Sequence, residues 1–414
     1  MRIFIVSAVF PPEPVVSSTT SSELAHYLAA QGHEVSVVTA FPSRPRGRLY
    51  PGYRRRLFRN ERTPAGFRLV RCFTWISGRS TMWSRFLESF SFGLASGWVV
   101  LTARRPDVVY VNTWPIFSAG FMAFIARARG IPVVQSIQDI YPESLVSQGR
   151  ITPNGVRDRG LRAVERRIAG SSAALVLPAP SFVEVYRQTR RLPEKKLHFV
   201  PNWFDRSSIT VDDAKAGEFR SKLDIPPEAT VILFGGNVGP GAGVETVIES
   251  FKFLQDIPSL YFVVAGDGSR LEACRRLAAL ADDQRIRFYS PWPAAETSPA
   301  LAAADILILP TQGGQSSASI PSKLIAYMLA ARPVLALSLP GSDLAAIIRT
   351  SGCGWVTPPD RPAVLAQKIR EVLSQPTAGR RSRGSAGREY ALANFTPEAC
   401  LPKLAGIIGQ VVES

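Results

Sequence analysis

The sequence of 414 residues has little histidine and little cysteine. There are three histidines and four cysteines, and the cysteines lie far apart along the chain with no histidine close to any of them. Zinc sites and disulfide frameworks need such residues at short, regular spacing, so the sequence excludes both. Because histidine is the commonest general base in enzymes, its scarcity also argues against a histidine-dependent reaction.

The sequence also lacks the motifs and long apolar runs of several protein classes. No G-x-x-x-x-G-K-[ST] segment occurs, which excludes a P-loop ATPase, and the alternating glycines at 239, 241 and 243 lack the third spaced glycine of a dinucleotide-binding loop. The uncharged run Ser89–Ala103 has 15 residues, whereas a membrane-spanning helix needs about 20. The first ten residues have no signal-peptide cleavage site and are typical of a buried strand, so we expect a cytoplasmic protein.

Basic residues are concentrated in the first half of the chain. Lys and Arg total 49 against 33 Asp and Glu, a net charge of +16. The first 204 residues hold 28 basic and 12 acidic residues, whereas the remainder holds 21 of each. Eleven arginines and one glutamate occur in Arg44–Arg79. Such a surface attracts phosphate in nucleic acid, anionic lipid or a phosphorylated substrate. A generally basic composition is the alternative, and the neutral second half argues against it.

Short apolar segments alternate with helical segments, and the alternation starts again after a break between residues 201 and 227. Runs that are apolar on both faces and alternate with helices predict a parallel sheet covered by helices. The predicted fold class is therefore α/β, with two doubly wound domains that bind ligands at the carboxyl ends of their strands. The predicted strands are Ile3–Val9, Glu34–Thr39, Val108–Asn112, Val133–Ile137, Ala173–Leu177, Val231–Phe234, Leu260–Ala265, Ile286–Tyr289, Ile306–Pro310 and Val334–Leu337.

Three segments carry a family resemblance. They are residues 10–39, residues 138–145 (QDIYPESL) and residues 319–337 (SIPSKLIAYMLAARPVLAL). In this order and spacing they resemble glycosyltransferase family 4, whose members are retaining enzymes of the GT-B fold, and in particular its bacterial colanic-acid, capsule and O-antigen branch. The resemblance implies two Rossmann-like domains facing across a cleft. An acceptor-binding domain would span residues 1–204 with a returning helix at 396–414, and a nucleotide-sugar-binding domain would span residues 205–395.

A nucleotide-sugar transferase must hold a diphosphate while the glycosidic bond breaks. Metal-free enzymes can do this with backbone N–H groups, a helix N-terminus and a cation. Ser319 and Ile320 precede a predicted helix, Pro321 suits its first turn, and Ser319 or Ser322 could cap it. Lys323 then lies where its ammonium could meet the diphosphate. The alternative for Lys323 is a solvated lysine, although a cation is mildly unfavourable at that end of a helix.

Two glycine-containing loops and two aromatic residues complete the predicted donor site. Gly236, Asn237 and Gly239 follow a predicted strand, where glycine lets backbone approach phosphate oxygens; a tight turn is the alternative. By resemblance, the loop of Gly266, Asp267 and Gly268 lies near the base or ribose; an ordinary turn capped by aspartate is the alternative. Trp292 would stack on the base or pack within its turn, and Tyr327 or a backbone group would hold the ribose. No cofactor and no metal are expected.

The predicted acceptor side lies in the first domain. Asp139 and Glu143 are the candidate acid–base residues, because the family's frequent histidine is replaced by Gln138, which cannot take a proton. Helix capping near the proline between them is the alternative. Same-face transfer, in which the leaving phosphate assists the acceptor proton, is the scheme that the resemblance implies and needs little from a protein base. Glu13, Ser17 and Ser18 would line the cleft.

The sequence departs from the family at its E-x7-E signature. The two glutamates map onto Ala318 and Ala326, and the usual basic residues after the first strand of the second domain map onto Asn237 and about Ala242. A catalytically degenerate protein that serves as a scaffold or activator of a partner enzyme is therefore the alternative to a transferase. A non-hydrolysing nucleotide-sugar epimerase shares the architecture but needs a different set of acids and histidines.

The arginine-rich segment and the aromatic segment that follows it indicate what the protein binds. Arg44–Arg79 carries aromatic residues among its arginines, and Met82–Ala103 continues the aromatic pattern. Arginine with interleaved aromatics suits a membrane interface, although part of Ser84–Ala103 could instead be a core helix. By resemblance, we expect hexosyl or amino-sugar transfer from a UDP-sugar to a saccharide on undecaprenyl diphosphate, at the inner face of the plasma membrane. No nucleic-acid-binding motif accompanies the charge, so nucleic acid is not an expected partner.

Overall fold

The computed structural model describes residues 1–78, 81–113, 116–147, 149–312 and 320–413. The chain forms two compact units. The first unit comprises Met1–Asn202 together with the chain from Cys400 onward, and the second unit comprises Trp203–Ala399.

The first unit is built on an eight-stranded sheet with the strand order β3-β4-β2-β1-β5-β6-β7-β8. Its strands are β1 (Arg2–Ser7), β2 (Glu34–Ala40), β3 (Phe58–Arg62), β4 (Arg68–Cys72), β5 (Val108–Asn112), β6 (Val133–Ser136), β7 (Ala174–Leu177) and β8 (Leu197–Phe199). Every pairing is parallel except β3 with β4, which is antiparallel. The central strands are buried on both faces, as expected for a sheet covered by helices.

Helices connect the parallel strands of the first unit. They are α1 (Val16–Ala30), α2 (Met82–Thr102), α3 (Phe117–Ala128), α4 (Glu143–Ser147), α5 (Val156–Ser171) and α6 (Pro180–Gln188). Helices α2 and α3 pack closely, because Gly93 and Gly97 of α2 lie directly against Phe121, Ile125 and Met122 of α3.

The second unit has a six-stranded parallel sheet of order β11-β10-β9-β12-β13-β14. Its elements are α7 (Asp213–Ser221), β9 (Thr230–Gly235), α8 (Val244–Ser250), β10 (Leu260–Ala265), α9 (Leu271–Ala281), β11 (Ile286–Tyr289), α10 (Thr297–Ala302), β12 (Ile306–Leu309), α11 (Ser322–Leu329), β13 (Val334–Leu337), α12 (Asp343–Ser351), β14 (Gly354–Thr357), α13 (Pro362–Leu373) and α14 (Thr377–Asn394). The last helix, α15 (Pro397–Glu413), follows.

Alternation along each strand divides the second unit's core into two layers. Leu233 and Val263 belong to the core on one face of the sheet, whereas Ile232 and Phe262 belong to the core on the other. Successive side chains of a strand point to opposite faces, so strands apolar at every position bury both faces. The predicted pair of doubly wound parallel-sheet units is therefore confirmed, and the loops after β9 and β10 share one edge of the second sheet.

Two segments differ from expectation. β3 and β4 were not expected, because their arginine-rich sequence does not resemble a buried strand. β3 forms the exposed edge of the sheet, whereas β4 lies between β2 and β3 and is buried after Arg68. Residues 376–388 were expected to be a flexible basic stretch, and this was wrong, because they form most of α14. Gly384 and Gly387 bring α14 against the backbone of Ala331 and the side chain of Cys353.

Candidate functional site

Two glycine-containing loops lie side by side at the carboxyl edge of the second sheet. The backbone N–H of Gly236 donates to the carbonyl oxygen of Ala265 (2.9 Å), and that of Val238 donates to the carbonyl oxygen of Asp267 (2.9 Å). These hydrogen bonds continue the β9–β10 pairing beyond the strands. The structure thus brings together the two predicted loops, 236–239 and 266–268, into one backbone-lined surface.

Glycine is required where the two loops touch. Gly266 and Gly268 have φ of +150° and +155°, which side chains disfavour, and a Cβ atom on Gly266 would overlap the carbonyl oxygen of Gly236. A Cβ atom on Gly268 would overlap the backbone of Val238 and lie 2.7 Å from the side-chain oxygen of Asn237. The side chain of Asp267 accepts a hydrogen bond from the N–H of Gly268 (2.7 Å). The loops therefore expose backbone, the surface that phosphate oxygens approach most closely.

Lys323, the second residue of α11, extends across this glycine surface. Its Nζ donates to the carbonyl oxygen of Asn237 (3.2 Å) and lies 4.4 Å from the centre of the Phe234 ring. Burial of the ammonium lowers the pKa of Lys323 to about 8. A half-buried cation with an apolar ring beneath it gains most from an anion, because few water molecules compete for it.

The N-terminus of α11, which carries Lys323, has no side-chain cap. Pro321 occupies the N-cap position, and no side chain there accepts a backbone hydrogen bond. The expectation that Ser322 caps the helix was wrong, because Ser322 is the first helical residue. Ser319 and Ala318 lie outside the described residues, and Ile320 packs against the core of the second unit. An uncapped N-terminus carries partial positive charge and favours a negative ligand.

Tyr327 stabilises this site from inside the core. Its hydroxyl oxygen accepts a hydrogen bond from the N–H of Gly235 (2.8 Å), and its O–H donates to the carbonyl oxygen of the same residue (3.0 Å). The side chain is 1% exposed. A buried hydroxyl group that is fully hydrogen-bonded cannot contact a ribose, so the prediction that Tyr327 binds the donor is corrected. Tyr327 instead links α11 to the end of β9.

Trp292 and Gly239 flank the loops. Trp292 packs against the core of the second unit, and a Cβ atom on Gly235 would lie 2.8 Å from its ring. Its buried Nε1 has no hydrogen-bond partner within the described ranges. Gly239 lies beside Asn237, whose side-chain nitrogen would be 3.0 Å from an added Cβ atom. The ring of Trp292 therefore packs within its turn, as one of the two alternatives predicted, and its Nε1–H remains available as a hydrogen-bond donor.

A separate cavity of about 210 Å³, called here the acceptor cavity, lies at the carboxyl edge of the first unit's sheet. Its polar lining comprises Ser17, Arg44, Asn112, Thr113, Gln135, Ser136, Gln138 and Asp139. Asp139 is open to solvent on one side, and desolvation by the surrounding protein raises its pKa above the ordinary value. A carboxylate with a raised pKa beside a cavity is suited to accept a hydrogen bond or a proton from a hydroxyl group.

Glu143 does not share this environment. Its carboxylate is bound by Arg162 (2.5 Å) and by the buried Arg190 (2.7 Å). Arg190 also donates to the carbonyl oxygen of Tyr141 (2.9 Å) and pairs with Glu165 (2.8 Å). Both oxygens of this carboxylate already accept hydrogen bonds from guanidinium groups, so the prediction that Glu143 serves as an acid–base residue is corrected. It anchors the loop that carries Asp139.

Glu13 and Ser18 are also buried rather than exposed to a ligand. The Glu13 carboxylate is 4% exposed and accepts hydrogen bonds from the N–H groups of Ser43 (2.9 Å) and Arg44 (2.8 Å). Burial raises the pKa of Glu13, although these backbone donors oppose the rise. The expectation that Glu13 and Ser18 line the acceptor site was therefore wrong, whereas Ser17 does line the cavity. Arg44 was missed, because nothing in the sequence separated it from the neighbouring arginines.

Helix α2 presents an apolar stripe to solvent. Trp83 is 74% exposed and Trp98 is 56% exposed. The spacing of the stripe is helical, and its further members are Leu87, Leu94 and Leu101, with Phe124 exposed on the neighbouring α3. The opposite face of α2 is the buried one, so the expectation of a core helix holds for that face alone. None of the described helices combines the length and apolarity needed to span a membrane.

Metal-binding side chains are not grouped in the described part of the chain. No three His, Cys, Asp or Glu residues there lie close enough to hold a metal ion. The cations at the candidate donor and acceptor sites are instead those of the chain itself, Lys323 and Arg44.

Two segments of the chain match known protein families. Residues 17–203 match the glycosyl transferase 4-like domain, and residues 229–375 match glycosyl transferases group 1. The chain is similar to the probable glycosyltransferase WbjE of Pseudomonas aeruginosa, with 27% identity over 80% of this chain and 82% of that protein. It is also similar to the putative colanic acid biosynthesis glycosyl transferase WcaI of Escherichia coli (strain K12), with 25% identity over 97% of this chain and 98% of that protein.

Solved structures share the fold. Sucrose-phosphate synthase from Thermosynechococcus elongatus has a TM-score of 0.72 and 17% identity, with all of both chains covered. HepE from Anabaena, solved in complex with UDP, has a TM-score of 0.71 and 14% identity, covering 99% of this chain and 100% of that chain. At such identities the similarity concerns the fold, and it confirms the fold class predicted from the sequence.

Proposed function

Because the chain belongs to the glycosyltransferases of the GT-B fold, we propose that it transfers a hexosyl or amino-sugar group with retention, from a UDP-sugar to a lipid-linked saccharide. The pathway we propose is bacterial surface polysaccharide synthesis. The colanic acid relative supports the pathway, and the UDP complex of the structural neighbour supports the donor.

The packing of Lys323 on Gly236, where an added Cβ atom would overlap Cε of the lysine, carries this proposal. The donor diphosphate would lie on the backbone of residues 236–239 and at the uncapped N-terminus of α11, with the Lys323 ammonium against it. Within the loop, Asn237 and Gly239 would donate their N–H groups, because those of Gly236 and Val238 already bond Ala265 and Asp267. As the glycosidic bond breaks, negative charge builds up on the leaving phosphate, and these donors are already in place to stabilise it. The nearby cation and N–H groups would do this without a divalent ion. A bound diphosphate would also favour the charged form of Lys323.

The acceptor hydroxyl would bind in the acceptor cavity beside Asp139. In same-face transfer, the acceptor oxygen bonds to the anomeric carbon on the face from which UDP leaves, and the hydroxyl proton passes to an oxygen of the departing phosphate. Asp139 would orient that hydroxyl group by accepting its hydrogen bond until the transfer. The corrected position of Glu143 supports this assignment, because it leaves Asp139 as the carboxylate that lines the cavity.

A membrane surface would deliver the acceptor. The exposed stripe of α2 suits burial in lipid, because tryptophan favours the interface and leucine the acyl region. The surplus positive charge in the first 204 residues complements anionic headgroups. We therefore propose peripheral association with the inner face of the plasma membrane through α2.

A transfer assay tests the proposed function. The protein is incubated with membranes, lipid-linked saccharides and a panel of radiolabelled nucleotide sugars, and label in the lipid fraction is counted. We expect label from a UDP-sugar, lost in Lys323→Ala and retained in Lys252→Ala, an exposed lysine that lies 5.0 Å from the centre of the Phe253 ring. Transfer by no nucleotide sugar, together with absent UDP binding, would instead support the degenerate scaffold that Ala318 and Ala326 suggest.

A further inference from the structure

A smaller cavity of about 110 Å³ adjoins the acceptor cavity, and Arg44 lines both. It is enclosed by the loop of residues 43–47, by residues 76–78 and by the first turns of α2, where Arg85 and Glu88 lie. We call it the small cavity. All of its walls belong to the first unit.

Two guanidinium groups converge on one carboxylate in the small cavity. Nη2 of Arg44 lies 2.8 Å from Oε1 of Glu88, and Nη1 of Arg85 lies 2.9 Å from Oε2. Among the described residues that line the cavity, these are the charged ones, so its net charge is +1. A carboxylate bridging two arginines with both oxygens has the geometry in which arginine pairs bind phosphate.

Hydrogen bonds hold the backbone of Arg44 in place, and its side chain forms the ion pair with Glu88. Its N–H donates to the buried Glu13 carboxylate (2.8 Å), and its carbonyl oxygen accepts a hydrogen bond from the hydroxyl group of Tyr50 (2.7 Å). A change of partner for the guanidinium therefore needs a side-chain rotation and no movement of the loop. The buried Glu13 thereby holds the loop that carries Arg44.

We propose that the small cavity binds a phosphate group of the acceptor, with Arg44 and Arg85 as its ligands and Glu88 occupying both arginines until the phosphate arrives. The inference rests on the proposed function, because it assumes that the acceptor cavity holds the acceptor sugar. The sugar hydroxyl would then lie beside Asp139 and the phosphate between the two arginines. Glu88 and Leu87 are adjacent on α2, about 100° apart around its axis, so the lipid chain would leave along the apolar stripe.

Calorimetric titration with inorganic pyrophosphate tests the small cavity. The full chain is titrated in excess UDP, so that the donor loops are occupied. We expect Arg44→Gln and Arg85→Gln each to weaken pyrophosphate binding about tenfold, the loss of a charge-assisted hydrogen bond. Glu88→Gln removes the competing charge and should strengthen binding about fivefold. Arg276→Gln, which removes an exposed arginine of α9 in the second unit, is the charge-matched control and should bind like the wild type.

Two further arms separate an acceptor phosphate from a membrane headgroup. Farnesyl diphosphate should compete with pyrophosphate in the wild type and lose affinity in Arg44→Gln, while binding to phosphatidylglycerol vesicles stays unchanged in that variant. Unchanged pyrophosphate affinity in both arginine variants, or an effect confined to vesicle binding, overturns the proposal. Unchanged affinity in Glu88→Gln overturns the exchange of partners. Absence of UDP binding would contradict the proposed function instead. Whether the small cavity binds phosphate is decided by the pyrophosphate titrations alone.

Discussion

The side chain of Lys323 lies directly over the Cα atom of Gly236. A Cβ atom added to Gly236 would overlap Cε of the lysine and lie 3.1 Å from its Nζ, and the φ of this glycine is +142°. The lysine therefore reaches the glycine loops because position 236 has no side chain. These two residues, from different elements of the second unit, form the arrangement to which we assign diphosphate binding.

Gly236→Ala should displace the lysine and disturb the loop together. We expect UDP affinity to fall at least about tenfold, since one charge-assisted contact is lost, and the free energy of unfolding to fall by about 1–3 kcal/mol from backbone strain. Calorimetry and urea unfolding measure the two effects. Gly341→Ala is the control, because an added Cβ atom there has no atom within 4 Å. Wild-type UDP affinity in Gly236→Ala would show that the contact is not used.

Lys323→Met should stabilise the protein while removing donor binding. The pKa of Lys323 is lowered to about 8, so the folded state binds fewer protons than the unfolded state between about pH 8 and the ordinary lysine pKa. The buried charge therefore costs stability most below pH 8, and the cost fades as pH rises. We expect Lys323→Met to gain about 1–2 kcal/mol at pH 7 and less at pH 9.5, measured by urea unfolding. A gain that grows with pH would contradict this.

Asp139→Asn and Glu143→Gln should separate the two carboxylates that sequence reasoning had grouped. Asp139 is exposed and lines the acceptor cavity, so Asp139→Asn should reduce turnover and leave unfolding within about 0.5 kcal/mol of the wild type. Glu143→Gln leaves Arg162 and Arg190 without their shared charge and should cost about 1–3 kcal/mol of stability. Transfer assays and denaturant curves measure both variants. The reverse pattern would restore Glu143 as the acid–base candidate.

Replacing both Trp83 and Trp98 with Ser should abolish vesicle binding. Both rings are exposed on the α2 stripe, so their loss should cost little stability but most of the interfacial affinity. Sedimentation with anionic and neutral vesicles gives the measurement. Leu280→Ser, at a position 86% exposed on α9 of the second unit, is the matched control. Equal binding of the wild type to anionic and neutral vesicles would remove the electrostatic part of the proposal.

The parallel strands could be predicted because their sequences allow few alternatives. Val108–Asn112 and Leu260–Ala265 are apolar at nearly every position and are bounded by turn residues, and both were predicted within their observed bounds. Strands β3 and β4 could not be predicted. The arginines of the exposed edge strand β3 suit a loop equally well, and the buried Arg71 of β4 gives no sign of its burial in the sequence. Helix α14 was missed since its glycines, which usually disfavour helix, are used there for close packing.

The loops of the candidate site could be predicted from the sequence, whereas the contacts of its side chains could be predicted only in part. Glycines after β9 and β10, and a lysine at the start of α11, are local features of the sequence. Whether a polar side chain faces a ligand or the core depends on distant partners, as Tyr327 with Gly235 and Glu143 with Arg190 demonstrate. Such pairings join residues far apart in the chain, and one sequence carries no signal for them.

Calorimetric titration with UDP tests the central claim most directly. The wild type should bind UDP near neutral pH, and its affinity should decline as pH rises through about 8, where free Lys323 loses its charge. Lys323→Arg should retain part of the affinity without that decline, Lys323→Ala should lose it, and Lys252→Ala should match the wild type. UDP binding that is equal in the wild type and Lys323→Ala at every pH would contradict the account.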